Sequence, residues 1–233
     1  MDYEALPESI ELADCLLNSE QKQIIERATK EIYDKPDTYE LDFFWRFDSS
    51  IGGIGGCCMP FNPTINPFPG GIGRFLFRPL QYAAANIECN KGIYDNYDAA
   101  RSTVQNSGLY LEAVTKYVIR RHTFPVIPVW SWRSTLGRNI RYLTKMGAIS
   151  DNKVGPSGLF VELCNKSKHD TNPGNERERQ FCPADALIAY ISARILGEAL
   201  LKPYYPEVLK RIDPYLVGLH DLNWNIQSNS NKH

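Results

Sequence analysis

The sequence predicts a mainly α-helical protein, an up-and-down helical bundle that follows an irregular N-terminal extension rich in glycine, proline and aromatic residues. Apolar residues recur every three or four positions over residues 109–121 and 183–199, which is the spacing of one face of a helix. Glycine and proline crowd residues 49–79 and interrupt regular structure there, which predicts the irregular extension. The predicted units are therefore an extension over 1–94, a bundle over 95–226 and a frayed tail over 227–233.

The composition is that of a folded protein. Of its 233 residues, 43% are hydrophobic and 23% charged, and the formal net charge is −1, so no overall attraction to nucleic acid or membranes is expected. The charge is unevenly distributed, however. Residues 1–50 carry thirteen acidic and five basic residues, whereas residues 101–146 carry eight basic residues and only Glu112. This split indicates either a site for a polyanion or an internal contact between acidic and basic surfaces.

Targeting signals and metal motifs are not recognisable. No apolar run reaches the roughly 18 residues of a membrane span, and the acidic N-terminus does not resemble a signal peptide, so we expect a cytoplasmic protein. The six cysteines form no Cys-x-x-Cys pair and the four histidines lie far apart, so neither a metal nor a cofactor is expected. The adjacent Cys57 and Cys58 are either packed in a loop, redox-active or metal-binding.

The extension contains one clear helix. Residues 1–19 are predicted as an irregular lead, and Ser19 is predicted to cap a helix over 20–34. Residues 39–47 fit a strand or a short aromatic helix. Residues 49–79 are predicted as a loop packed on the bundle, without the glycine spacing of a phosphate-binding motif.

The bundle begins with two predicted helices, one over 95–105 and one over 109–121, separated by Ser107-Gly108. An extended linker over 123–130 precedes a helix that Ser131 or Ser134 caps and that ends at Gly147. Three more helices are predicted. The first spans residues 156–169, the second begins at Pro183 and ends before Pro203, and the third spans residues 207–212. The helix after Pro183 has the cleanest apolar face, formed by Ala184, Leu187, Ile188, Ile191, Ile195 and Ala199.

The predicted helix before Gly147 has a basic side. Its apolar residues point one way, and Arg138, Arg141 and Lys145 point nearly the opposite way. These three side chains form either an ordinary solvated surface or a stripe that contacts phosphates.

A cluster of motifs over residues 95–202 resembles the HEPN superfamily of helical, nucleotide-binding proteins, particularly its small bacterial members from toxin and defence systems. The resemblance rests on Ser107-Gly108-Leu109-Tyr110-Leu111-Glu112, on Leu136-Gly137-Arg138-Asn139 before Leu143–Ile149, and on Asn165-Lys166-Ser167-Lys168-His169.

Many members of that superfamily are metal-independent ribonucleases, and their signature places an arginine and a polar residue shortly before a histidine. The resemblance implies that His169 is the histidine and Asn165 the polar residue, with Lys168 as a nearby cation. The arginine position falls on Cys164, and a thiol cannot hold a phosphate by two hydrogen bonds. Alternatively, Asn165, Lys168 and His169 simply cap the C-terminus of a helix.

Three functions therefore compete. The first is an RNA-binding or RNA-cleaving protein that uses these residues together with Arg138, Arg141 and Lys145. The second is a non-catalytic interaction module, such as a homodimer, whose acidic segment covers a basic surface. The third is small-molecule binding between the 49–79 loop and the bundle.

Overall fold

The computed structural model describes residues 5–51, 72–88, 93, 97–123, 126, 128–168 and 180–204. In this part of the chain the regular structure consists of α-helices and short 3-10 helices, without strands, so the predicted mainly α-helical bundle is confirmed. The helices are α1 (Pro7–Leu16), α2 (Ser19–Asp34), α3 (Asp42–Ile51), α4 (Ile72–Glu88), α5 (Tyr97–His122), α6 (Leu136–Lys145), α7 (Asp151–Lys168) and α8 (Pro183–Leu201). Two short 3-10 helices span Val129–Arg133 and Lys202–Tyr204.

Helix α8 is the centre of the bundle. Fifteen of its 19 residues are buried, and it contacts α1 to α5 and α7. Its location agrees with the prediction, but its amphipathic character does not. Ala199 on the predicted apolar face is exposed, whereas the polar Asp185 and Arg194 are fully buried. A helix buried on nearly all sides needs partners for such groups. Asp185 finds two, because its carboxylate accepts from the backbone N–H of Leu6 and of Cys182, both at 2.8 Å.

Helix α5 is one continuous helix, so the predicted break at Ser107-Gly108 is wrong. The helix packs mainly against α4 and α8, and it also crosses α7. A Cβ atom added at Gly108 would lie 2.8 Å from Cys164 Sγ of α7. The glycine therefore marks a close crossing of two helices instead of a helix end.

The N-terminal region is more helical than predicted. Residues 7–16 form α1 and not an irregular lead, and α1 packs against α7 and α8. The cap of α2 is Asn18 and not Ser19, since the Asn18 side chain accepts from the backbone N–H of Gln21 and Gln21 returns a hydrogen bond to the Asn18 backbone.

The structure also decides the alternatives for residues 39–47 and corrects both ends of the predicted 49–79 loop. Residues 42–51 form helix α3, which excludes the strand alternative. The predicted loop is therefore wrong for residues 49–51, and it is also wrong for residues 72–79, which belong to α4 despite the internal Pro79. The rest of that loop, with Cys57 and Cys58, lies outside the described residues.

The last helices differ from the prediction mainly at their ends. Residues 129–133 form a 3-10 helix, and α6 begins after Thr135, so neither Ser131 nor Ser134 caps it. Helix α7 begins at Asp151 and contains Pro156, the residue predicted to start it. The predicted helix over 207–212 and the frayed tail lie outside the described residues.

Candidate nucleic-acid interface

The predicted basic side of α6 is exposed to solvent. Arg138, Arg141 and Lys145 are spaced by three and four residues, so they lie on one side of the helix; we call them the basic face. The opposite side of α6 is buried through Leu136, Asn139, Ile140 and Leu143. The buried Asn139 amide donates to Thr115 Oγ1 of α5 at 3.0 Å, which fixes the rotation of α6 about its axis.

Aromatic contacts hold one end of the basic face. The Arg138 guanidinium lies 4.7 Å from the centre of the Trp130 ring, and Trp130 meets the Tyr142 ring edge-on at 4.9 Å. This cation–π contact restricts Arg138 without neutralising its charge. The Arg141 guanidinium donates to the Gly137 carbonyl at 3.3 Å.

The basic face lies in a stretch of the chain that lacks acidic residues. The sequence contains no Asp or Glu between Glu112 and Asp151, and none of the three basic groups forms a salt bridge within the described ranges. The Glu112 carboxylate forms a salt bridge with Lys116, with 2.7 Å between Oε1 and Nζ. The positive potential of this surface is therefore left to solvent or to a ligand.

Two of the residues that the HEPN resemblance singled out lie at the end of α7. Asn165 and Lys168 are exposed, and His169 lies outside the described residues. The Ser167 carbonyl near the end of α7 accepts from Arg101 Nε and Gln105 Nε2 of α5, both at 2.7 Å. The side chains of Asn165 and Lys168 form no hydrogen bond with another described residue.

The two predicted sets of site residues lie on adjacent helices. Helices α6 and α7 meet near Gly137, where an added Cβ atom would lie 3.1 Å from Val161 Cγ1. Lys168 follows Val161 by seven residues, which is about two turns or roughly 10 Å along the axis of α7. Lys166, which lies between Val161 and Lys168 on α7, forms salt bridges with Glu8 of α1 and with Glu162.

Cys164, at the position of the family's arginine, is a packing residue. Its side chain is 1% exposed and faces Gly108 across the crossing of α5 and α7. Burial raises the pKa of the Cys164 thiol to about 12, so the thiol is neutral at physiological pH. This position therefore offers neither a cation nor space for a larger side chain.

A buried ionic cluster joins α3 and α8, and the sequence patterns did not predict it. Arg194 and Asp48 are both 0% exposed, and Arg194 Nε donates to Asp48 Oδ1 at 2.7 Å. Arg194 Nη2 also donates to the Asp48 carbonyl at 3.2 Å, and the Tyr190 hydroxyl to Asp48 Oδ2 at 3.3 Å. The sequence feature that could have indicated this cluster is the arginine within the apolar helix Pro183–Leu201. A guanidinium buried in such a helix requires a carboxylate as its partner.

Two further groups of this region have shifted pKa values. Burial raises the pKa of the Glu198 carboxyl to about 7, although the positive charges of Arg194 and Lys202 oppose the shift. Burial also raises the pKa of the Tyr110 hydroxyl, which packs against Gly197 of α8. Arg194 is out of reach of a dissolved substrate, so the cluster joins helices instead of forming an open site.

Comparisons with known proteins leave the chain without an assigned family: no family model, curated protein or solved structure matches it. Within the described ranges, no group of three or more His, Cys, Asp or Glu side chains is placed to bind a metal ion. No helix in the same ranges combines the length and the apolar character needed to cross a membrane.

Proposed function

We propose that the chain binds RNA through the basic face of α6. The observation that supports this function best is the placement of Arg138, Arg141 and Lys145 on one exposed side of a helix, where none of them forms a salt bridge with a described residue. Cations of this kind bind nucleic acids chiefly by displacing counterions from the phosphates. The fixed Trp130–Tyr142 pair positions one guanidinium and so reduces the conformational entropy that binding must remove.

The HEPN resemblance is the reason why we propose RNA as the ligand and a toxin or defence system as the setting. Asn165 and Lys168 are exposed on the adjacent α7, and His169 follows them in sequence. The burial of Cys164 favours binding without cleavage, because the cation that would stabilise a phosphorane-like transition state has no place at that position.

The proposal is tested by measuring the affinity of a fluorescent, mixed-sequence single-stranded RNA by anisotropy at about 50 mM salt. The test variant combines Arg138→Gln, Arg141→Gln and Lys145→Gln. The matched control combines Lys30→Gln, Arg46→Gln and Lys202→Gln, which remove the same charge from exposed positions on α2, α3 and the end of α8. We expect the test variant to bind at least about tenfold more weakly than the control.

Equal losses in the two variants would show a nonspecific effect of net charge and would contradict the basic face as the binding site. Failure of the wild type to bind RNA would contradict the proposed function and favour the interaction module. The same mixtures, analysed on a denaturing gel without added metal, report cleavage. Cleavage by the wild type that is lost in His169→Ala would contradict binding without catalysis.

A further inference from the structure

A second candidate site is a cleft on the side of the molecule formed by α1, α2 and the beginning of α8. The cleft has a volume of about 520 Å³, which lies in the range of small-molecule sites in proteins. Its walls are largely apolar, with Ile10 still 46% exposed. The apolar lining includes Ile10 and Leu17, Ile25 of α2, and Ala184 and Ile188 of α8.

The charged side chains around the cleft favour one sign of ligand. Lys22 is engaged by Asp14 at 2.6 Å, and this salt bridge joins α2 to α1. Glu26 and Lys30 lie one turn apart on the cleft side of α2, and Asp34 follows one turn later, so the lining carries three carboxylates and two ammonium groups. With one more carboxylate than ammonium groups, the lining favours a cation over an anion.

We propose that this cleft binds a small amphipathic cation, an apolar molecule with a protonated amine. The apolar body lies between α1, α2 and Ile188 of α8. The ammonium group has donors and no acceptor, and it contacts the exposed Glu26 carboxylate on the cleft side of α2. This inference does not depend on RNA binding, because the cleft and the basic face share no residue.

Calorimetric titration with three eight-carbon probes tests the chemistry. The probes are octylammonium, octanol and octanoate, each used below its micelle-forming concentration at low salt. We expect one saturable site for octylammonium, with an affinity about fivefold or more above that of octanoate. Absence of saturable octylammonium binding, or equal affinity for octanoate, would overturn the proposal.

Three variants locate the site. Ala184→Trp fills the cleft from the first turn of α8 and should abolish binding while the helical circular dichroism is retained. Glu26→Gln should reduce the preference for the ammonium probe, and Lys30→Met should increase it by removing a competing cation. If Ala184→Trp does not fold, the site is tested by the other two variants, which should change the preference for the ammonium probe in opposite directions. Unchanged probe preference in both, or undiminished binding by folded Ala184→Trp, would refute the site.

Discussion

Gly108 and Cys164 show how single residues determine the packing of α5 against α7. A Cβ atom at position 108 would lie 2.8 Å from Cys164 Sγ and 3.2 Å from Cys164 Cβ. The second distance matters more, because a cysteine can rotate its sulfur but cannot move its Cβ without moving α7. The pair therefore sets the distance between the two helices.

The first prediction concerns Gly108→Ala. Alanine stabilises an exposed helix interior by about 0.5–1 kcal/mol relative to glycine, but the clash with Cys164 outweighs this gain. We expect the free energy of unfolding in urea to fall by about 1–3 kcal/mol.

The matched control is Gly158→Ala on the exposed side of α7, where an added Cβ meets nothing within 4 Å. This variant should be neutral or more stable. Adding Cys164→Ala to Gly108→Ala should recover part of the lost stability, since it removes the clashing sulfur. A stable Gly108→Ala protein would contradict the close crossing.

The second prediction concerns the pH dependence of stability at Glu198. Burial raises the pKa of this carboxyl from an ordinary 4.5 to about 7, so between these values the folded state keeps a proton that the unfolded state has lost. The contribution of Glu198 to stability is therefore present below pH about 4.5 and lost as the pH rises to about 7.

Thermal unfolding from pH about 4.5 to 7.5 measures this effect. Relative to wild type, Glu198→Gln should gain stability as the pH increases, because glutamine carries no ionisable proton. Glu11→Gln on the exposed side of α1 serves as the control and should follow the wild type. A constant difference between wild type and Glu198→Gln across this range would contradict the raised pKa.

At the same scale, the exposed residues were more predictable than the buried polar ones. The orientation of Arg138, Arg141 and Lys145 follows from the apolar spacing within one short helix. The burial of Arg194 does not, because its partner Asp48 lies 146 residues away and the pairing depends on the tertiary fold. The chemical role of His169 remains a prediction, since that residue lies outside the described part of the chain.

At the scale of elements, α3 is joined to α8 by the Asp48–Arg194 pair. Burial alone would lower the pKa of Arg194, but the adjacent Asp48 carboxylate raises it above its usual value, so the guanidinium is charged. Removing one member leaves the other charge buried without its counterion, which is more damaging than replacing both by apolar groups.

The third prediction is therefore a double-mutant cycle. Asp48→Leu and Arg194→Met should each lower the free energy of unfolding by about 3–5 kcal/mol, and the double variant should lose less than the sum of both. Urea unfolding measures the three differences. Strictly additive losses would show that the two charges do not stabilise one another.

Helices were predicted correctly where a local sequence pattern alone determines them. The paths of α6 and α8 follow from apolar periodicity and from Pro183 near a helix start. The sequence predicts a break in α5 because Ser107-Gly108 has low helix propensity. The helix is continuous in the structure, where α7 packs against Gly108. Helix α4 was missed because Pro79 and the neighbouring glycines indicate a loop locally, and its packing against α5 is a tertiary effect.

At the scale of the whole molecule, acidic and basic residues are separated between different helices. Helices α1 to α3 carry an excess of acidic residues, and the basic residues of 101–146 lie on α5, the 3-10 helix over 129–133 and α6. A phosphate chain is attracted to the second region and repelled by the first. The proposed function thus predicts a local and oriented interaction despite a net charge of −1.

The salt dependence of RNA affinity tests RNA binding through the basic face most directly. For single-stranded RNA, each phosphate contact contributes about 0.7 to the slope of log affinity against log salt concentration. Replacing Arg138, Arg141 and Lys145 by glutamine should reduce that slope by about 2, and the Lys30, Arg46 and Lys202 control should keep the wild-type slope. An unchanged slope in the basic-face variant, or a wild-type affinity independent of salt, would contradict RNA binding through α6.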